Sequence, residues 1–401
     1  MASVLITVTG PDKPGVTGVL FAVLSAQRAD VLDVEQVVIR GALTLGVLVE
    51  SAADAEGLQE RVEQAMASIG MNVRVAIGAA VPQDRLPATH LVLVMGRPLQ
   101  ARAIGRLAGR FGELGVNIDA IKRVADYPVT GLELAVWAPD ETVLRSAVAD
   151  VGKAAGVDIA VQQAGLERRS KRLIVFDVDS TLITGEVIDI LAEHSGSRRA
   201  VEEITAAAMS GRLDFAEALR ARVAMLAGLD AGLLDQVGAS LELTPGARTT
   251  IRTLKRLGYR CGIVSGGFTQ VVRHLAEELE LDFVAANTLE VMDGRLTGKL
   301  TGDIVDRAGK AGALERFAAQ FGVPLSQTVA VGDGANDIDM LSTSGLGIAF
   351  NAKPVVAEHA DTTLNQPFLD PVLFILGISR ADVEAADAAD GAAVTRRLPL
   401  P

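Results

Sequence analysis

Lys171-Arg-Leu-Ile-Val-Phe-Asp177-Val-Asp179-Ser-Thr181-Leu182 changes character in the middle. Leu173 to Phe176 is an unbroken apolar run, which predicts a short strand buried inside a parallel sheet. Two carboxylates, one residue apart, end it abruptly. In open α/β sheets ligands sit just beyond the carboxyl ends of the strands. Asp177 and Asp179 therefore fall where chemistry is usually placed. An aspartate there can attack phosphorus and form an aspartyl-phosphate, and Asp179 can handle the leaving-group proton. Taken alone, the stretch also fits a surface turn, for which Asp and Ser are ordinary residues. It fits equally the metal-holding Asp-x-Asp of a sugar transferase.

Two runs further on end the same way. Tyr259 to Val264 leads into Ser265-Gly-Gly267, and Thr328-Val-Ala-Val-Gly332 into Asp333-Gly-Ala-Asn336-Asp337. Right-handed crossovers in a parallel sheet place all three ends on one edge. Each supplies something phosphoryl transfer needs. Asp177 would attack in line. A magnesium ion would bridge its carboxylate, a phosphate oxygen, the backbone carbonyl of Asp179, and Asp333, because Mg²⁺ takes a few carboxylates and completes its shell with water and phosphate. Ser265 would give its hydroxyl and Gly266 its amide to a phosphate oxygen, glycine permitting the close approach. Lys310, on a helix predicted from Lys310 to Phe321, would neutralise charge on phosphate and nucleophile. Asn336 would orient Lys310 or a phosphate oxygen, and Asp337 would support the metal shell. Such catalysis is mostly positioning and electrostatics. A sugar transferase has no use for Lys310 or the Asp333 loop.

Between the first two of these strands, helical segments run from Val187 to about Leu241 and read as a cap over the site. Thr244-Pro-Gly246 opens a helix through Leu257, with Pro near its start. Phe268 to Leu279 is a further helix, Phe283 to Ala286 a strand, and Leu289 to Thr301 a hairpin turned at Asp293-Gly294. Leu346 to Phe350 is the last clear strand. Beyond about Arg380 the chain is rich in Ala and Asp and is expected to be a mobile tail.

These motifs resemble the haloacid dehalogenase superfamily of aspartyl-phosphate enzymes. The second aspartate of the first motif, Asp179, is similar to the phosphatase branch. Phe176-Asp-Val-Asp-Ser-Thr-Leu182, Val264-Ser-Gly-Gly-Phe268, Val331-Gly-Asp-Gly-Ala-Asn-Asp337 and the cap segment Met209-Ser-Gly-Arg-Leu-Asp-Phe215 through Arg222-Val223 look like the phosphoserine phosphatase family. That resemblance implies hydrolysis of phosphoserine to serine, a Rossmann-like core with a helical cap, and a magnesium ion. It also implies roles for four cap residues. Glu186 and Arg222 would hold the amino and carboxylate groups of serine, and Met209 and Phe215 would shape the pocket. Without it, Arg222 is a solvated arginine on a charged helix face. Glu186 is then an acid placed by the helix dipole. His194, His274 and His359 lack metal-ligand spacing, and His90 has no assigned role.

The first half of the chain has another organisation. Strand 3–9, helix 16–27 with Thr17 as its cap, strands 31–39 and 42–50, helix 52–69 and strand 71–77 give βαββαβ, a ferredoxin-like order. The order repeats as strand 90–95, helix 100–114, strands 116–123 and 132–137, helix 140–153 and strand 158–162. Ala29-Asp-Val-Leu-Asp33 answers to Gly115-Val-Asn-Ile-Asp119 at the same offset, so this is an internal repeat. Both copies resemble the ACT domain, an amino-acid-sensing module. The resemblance implies an effector, with serine the natural candidate. It would bind between the strand-to-helix loops containing Gly18 and Gly105 and the carboxylates Asp33 and Asp119. The expected domains are 1–82, 88–165 and 169–380, with a cap at about 187–243 and a tail at 381–401.

Composition narrows the partners and says nothing against an anionic substrate held by a few local cations and a metal. The chain is 49% apolar with 3% aromatics, so its cores are built from Val, Leu, Ile and Ala. The net charge of −12 disfavours nucleic acid or anionic membrane as partner. One cysteine, Cys261, rules out an intramolecular disulfide framework and reads as a core residue. No run approaches a membrane span or a signal sequence, which predicts a soluble cytoplasmic protein. ACT-like units pair edge to edge, so a homodimer is expected.

Overall fold

The computed structural model describes residues 2–51, 55–78, 87–209 and 212–391. Most of the linker expected at Pro82–Pro87 lies outside these residues. So do Ser210, Gly211, the side chain of Met209 and the last ten positions of the expected tail. The chain divides into two compact units, Met1–Leu86 and Pro87–Pro401.

In the first unit the elements are Ala2–Pro11, helix Val16–Ala26, Asp30–Ile39, Ala42–Ser51, helix Ala55–Ser68 and Asn72–Ile77. Its four strands form one antiparallel sheet with Asp30–Ile39 at one edge and Asn72–Ile77 at the other. The strand period of two sends Val4, Ile6 and Val8, and Leu43, Leu45, Val47 and Val49, into a core shared with Leu20, Leu24, Leu58, Val62 and Met66 of the helices. Thr17 is not the cap of the first helix. Gly15, at φ 95°, holds that position, because the turn before it needs a left-handed residue. Every residue of the edge strand Asp30–Ile39 is exposed.

The second unit opens with the second ferredoxin-like copy: His90–Gly96, helix Ala101–Glu113, Asn117–Ala125, Thr130–Trp137, helix Glu141–Ala155 and Asp158–Gln163. Asp140 caps the second helix by accepting from Thr142 N and Val143 N, and Gly156 ends it in the left-handed region. One face of the sheet packs on its own helices through Val92, Val94, Leu134 and Val136. The opposite face supplies Leu93, Met95, Val124, Ala125 and Ala160 to the same buried core as Leu369, Leu373 and Leu376. Polar contacts reinforce this seam. The Asp158 carboxylate accepts from Asn365 N and Nδ2, and Arg168 donates to the carbonyls of Phe374 and Ile375.

The remaining sheet has seven strands in the order 295–301, 283–292, 260–268, 173–176, 328–332, 347–350, 362–364. All neighbours are parallel except the first two, which form the hairpin. Leu173–Phe176 is central, and the chain's path through the sheet reverses there. That makes its carboxyl end the topological switch point where doubly wound sheets bind ligands. The cap, helices Val187–Ser195, Arg198–Met209, Phe215–Ala224 and Gly232–Ser240, is inserted after it. The two cap linkers pair: Thr184 N donates to Glu242 O and Thr244 N to Leu182 O.

Two further expectations are corrected. Ser265-Gly-Gly267 is not a loop beyond its strand but lies within Arg260–Phe268, where the register shifts between Val264 and Phe268. The chain beyond Arg380 is not a tail as far as Ala389. Arg380–Ala389 is a helix with a Ser379/Asp382 capping box, and its buried Asp387 accepts from Arg252 and Arg256. The Ala and Asp that suggested a tail are a good helix former and a paired anion. The described residues contain no helix long and apolar enough to cross a membrane.

Candidate active site

Asp177 leaves the central strand with its amide still bonded to Val331 O, which fixes its carboxylate at the sheet edge. Lys310 has no exposed surface. Its Nζ donates to Asp177 Oδ1 at 2.6 Å and to Asp337 Oδ1 at 2.7 Å. A buried lysine must be paired, and these two carboxylates pair it. Burial alone would lower its pKa, but their charges raise it above the ordinary value. Asp337 Oδ2 accepts from Gly334 N, so Asp337 rather than Asn336 orients the lysine. A Cβ on Gly332 would lie 2.5 Å from Asp337 Cγ, so only glycine fits there.

Asp179 is turned toward the cap, where its Oδ1 accepts from Val187 N at 2.7 Å. Burial and the neighbouring Glu186 charge push its carboxyl up to about 7. Asp333 accepts from Thr181 Oγ1 at 3.1 Å, and burial and Asp337 push it up to about 6. Burial also raises Asp177, with Asp337 adding to the shift and Lys310 opposing it. Ser265 is fully buried, and its Oγ accepts from Gly267 N at 2.8 Å. Ser180, at φ 55°, donates to Glu186 Oε1 at 3.1 Å.

These groups border a cavity of about 350 Å³ whose wall includes Asp177, Asp179, Glu186, Phe215, Arg222, Gly266, Asp333 and Asn336. Arg222 Nε is buried with no hydrogen-bond partner, and burial lowers the guanidinium pKa against the pull of Glu186. Ser265, Lys310 and Asp337 are not part of the wall. Ile188 and Leu219 are, and neither was among the residues expected from sequence. They are ordinary apolar helix residues, and only the packing of the cap distinguishes them from core.

The carboxylate oxygens of Asp177, Asp333 and Asp337 lie within 4.8 Å of one another. Hard anionic donors, of which Asp177 and Asp333 are raised in pKa by burial, fit a divalent ion that prefers oxygen. The Asp179 side chain is not in this group.

The proposed effector residues lie elsewhere. Gly18, in the first turn of its helix, and Gly105, in the second turn of its own, are exposed, and an added Cβ would meet nothing at either. Asp33 accepts from Val34 N, and Asp119 accepts from Asn117 Nδ2. Asp33 adjoins a register shift in its strand and Asp119 lies within one in its own.

Residues 174–342 match the haloacid dehalogenase-like hydrolase family, and residues 2–76 and 88–162 match ACT domains. The chain is 56% identical to the phosphoserine phosphatase SerB2 of Mycobacterium tuberculosis, covering 100% of this chain and 98% of the relative. It is 56% identical to a phosphoserine phosphatase of Streptomyces coelicolor, covering 96% and 94%. Among solved structures, a probable phosphoserine phosphatase from Vibrio cholerae superposes with a TM-score of 0.59 at 32% identity, covering 76% of this chain and 90% of that one. Matched end to end at this identity, and carrying two ACT domains before its hydrolase domain, the chain belongs to the family of ACT-domain phosphoserine phosphatases built on a haloacid dehalogenase-like core.

Proposed function

We propose that the protein hydrolyses O-phospho-serine to serine and phosphate through an aspartyl-phosphate on Asp177, the last step of serine biosynthesis. One observation carries this: a single cavity joins a lysine-held carboxylate, a carboxyl pushed up to about 7, and a buried arginine whose Nε lacks a partner. Phosphoserine presents a phosphate to the first two. Its carboxylate suits the planar donors of Arg222, and its ammonium suits Glu186. An Asp177 oxygen attacks phosphorus and the serine oxygen leaves, taking a proton from Asp179. Asp179, now ionised, takes a proton from a water that attacks the phosphoenzyme, and phosphate departs from Asp177. Lys310 holds Asp177 in line throughout. Asp177, Asp333 and the carbonyl of Asp179 would hold Mg²⁺, with Asp337 in support, and the ion would offset phosphate charge. Ser265, Gly266 and Asn336 would hold the phosphate, and Met209 and Phe215 would close the pocket.

The test is phosphate release from phosphoserine and from other small phosphomonoesters, with and without magnesium. Asp177→Asn should fall to background and form no acid-labile phosphoenzyme by mass spectrometry. Arg222→Ala should lose far more activity on phosphoserine than on an aryl phosphate, which has no carboxylate to lose. Equal losses on both would remove phosphoserine as the substrate Arg222 selects.

The ACT domains support an amino-acid effector, for which serine, the product, is the economical choice. Helix N-terminal amides near Gly18 and Gly105 would receive its carboxylate, and Asp33 and Asp119 its ammonium. The exposed Val31, Val34, Val37, Val38 and Ile39 on an edge strand support pairing with a second copy. Gly18→Ala and Gly105→Ala fit without clash. They should abolish a non-competitive component of serine inhibition and leave the competitive one.

A further inference from the structure

The linker that returns from the cap to the core is held by residues outside the active site. Thr244 Oγ1 donates to Thr181 O at 2.7 Å, tying this linker to the segment that carries Asp177 and Asp179. The carbonyl of Pro245 accepts from Leu369 N at 2.9 Å. Gly246, at φ 87°, starts the helix Ala247–Arg256, and a Cβ there would lie 1.9 Å from Asp370 Oδ2. The Asp370 carboxylate is thus seated on the hinge glycine. Asp370 is 6% exposed and Arg380 3%, and Arg380 Nη1 donates to Asp370 Oδ1 at 3.1 Å.

The second ACT domain touches this assembly twice. The Arg380 guanidinium carbon lies 5.2 Å from the centre of the Tyr127 ring, and that of Arg97 lies 5.3 Å from the centre of the Phe368 ring. Arg97 directly follows the strand His90–Gly96, and Tyr127 lies between the strands Asn117–Ala125 and Thr130–Trp137. Two loops of that domain therefore reach the hinge through direct contacts, one by Phe368 and Leu369, the other by Arg380 and Asp370. A buried ion pair is weak evidence for stability, and fixing a conformational register is its best-attested use.

We infer that Asp370 and Arg380 are positioning residues for the reaction. They fix the hinge that sets Glu186, Phe215 and Arg222 over Asp177, and the second ACT domain acts on catalysis through them. No effector need bind for this to hold.

In the full chain, kcat and KM are measured with phosphoserine and with an aryl phosphate, which gives the cap no amino or carboxylate group to hold. The variants are Arg380→Met, Arg380→Lys, Arg97→Ala and the double variant Arg97→Ala with Arg380→Met. For Arg380→Met, kcat/KM on phosphoserine should fall about tenfold, and on the aryl phosphate less than about twofold, as for a misplaced binding group. Arg380→Lys, which keeps a charge opposite Asp370, should recover most of the loss. The double variant should be no worse than Arg380→Met alone, because both changes release one hinge. Equal losses on the two substrates make the pair merely structural and overturn the inference. Strictly additive losses overturn the link to the ACT domain. Should Arg380→Met fail to fold, Arg97→Ala carries the same substrate comparison, and absence of discrimination there also overturns it.

Discussion

Asp179 is the residue on which environment acts most visibly. Its carboxyl, pushed up to about 7 by burial and Glu186, is matched to giving and taking a proton near neutral pH. Asp179→Asn keeps the acceptor for Val187 N but loses the proton, and turnover should drop by ~10²–10⁴. Slow phosphorylation of Asp177 should persist in that variant, and wild-type turnover would move the acid-base role elsewhere. The same shift sets a stability profile. The folded pKa lies above the unfolded one, so the folded state holds the extra proton at acidic pH. Metal-free protein should therefore lose stability as pH rises from about 4 to about 7, and no further above that. Asp179→Asn removes this cost, so its melting temperature should exceed wild type by a margin that grows over that range, worth about 2–4 kcal/mol at its plateau. A margin independent of pH would show that Asp179 is not held protonated by the fold.

At the scale of elements, the central strand and the ends around it were legible because a buried parallel strand is written as an unbroken apolar run followed by its functional loop. Leu173–Phe176 and Thr328–Gly332 appear where that pattern puts them. The pattern failed where geometry depends on partners distant in sequence. The strand through Ser265-Gly-Gly267 continues only because Phe268 finds Asn287 after a register shift. Thr362–Leu364 is too short to carry a period. The helix Arg380–Ala389 is fixed by Arg252 and Arg256, more than a hundred residues earlier. The role of Asp337 in holding Lys310 was hidden for the same reason, although both residues were singled out. Gly332 shows what such fits demand. Gly332→Ala would drive a methyl against Asp337 and shift Lys310 from Asp177. A displacement near 1 Å can cost about 10²-fold, so kcat should fall by that order while circular dichroism stays native. Unchanged kcat would mean that the lysine tolerates movement of its partner.

For the whole molecule, the two ACT domains are not equivalent parts, although both have the same βαββαβ order. The first is a compact unit of its own, whereas the second shares a core with the phosphatase through Leu93, Met95 and Ala160. A chain starting at Pro87 should fold and hydrolyse phosphate esters. One starting near Glu167 would bare the apolar surface around Leu369, Leu373 and Leu376, and should aggregate or melt at lower temperature. Equal melting temperatures for the two truncated chains would contradict a shared core. The lone thiol offers a different kind of access to the same whole. Cys261 has no exposed surface, burial pushes it up to about 12, and it pairs with Ile174 three residues before the nucleophile. A soluble disulfide reagent can reach it only when the sheet beside Asp177 comes apart. Its labelling rate is then a clock for that opening, read without any added probe. Native protein should react far more slowly than denatured protein. Magnesium with a phosphate analogue, by stabilising the closed state alone, should slow the clock further in proportion to its occupancy.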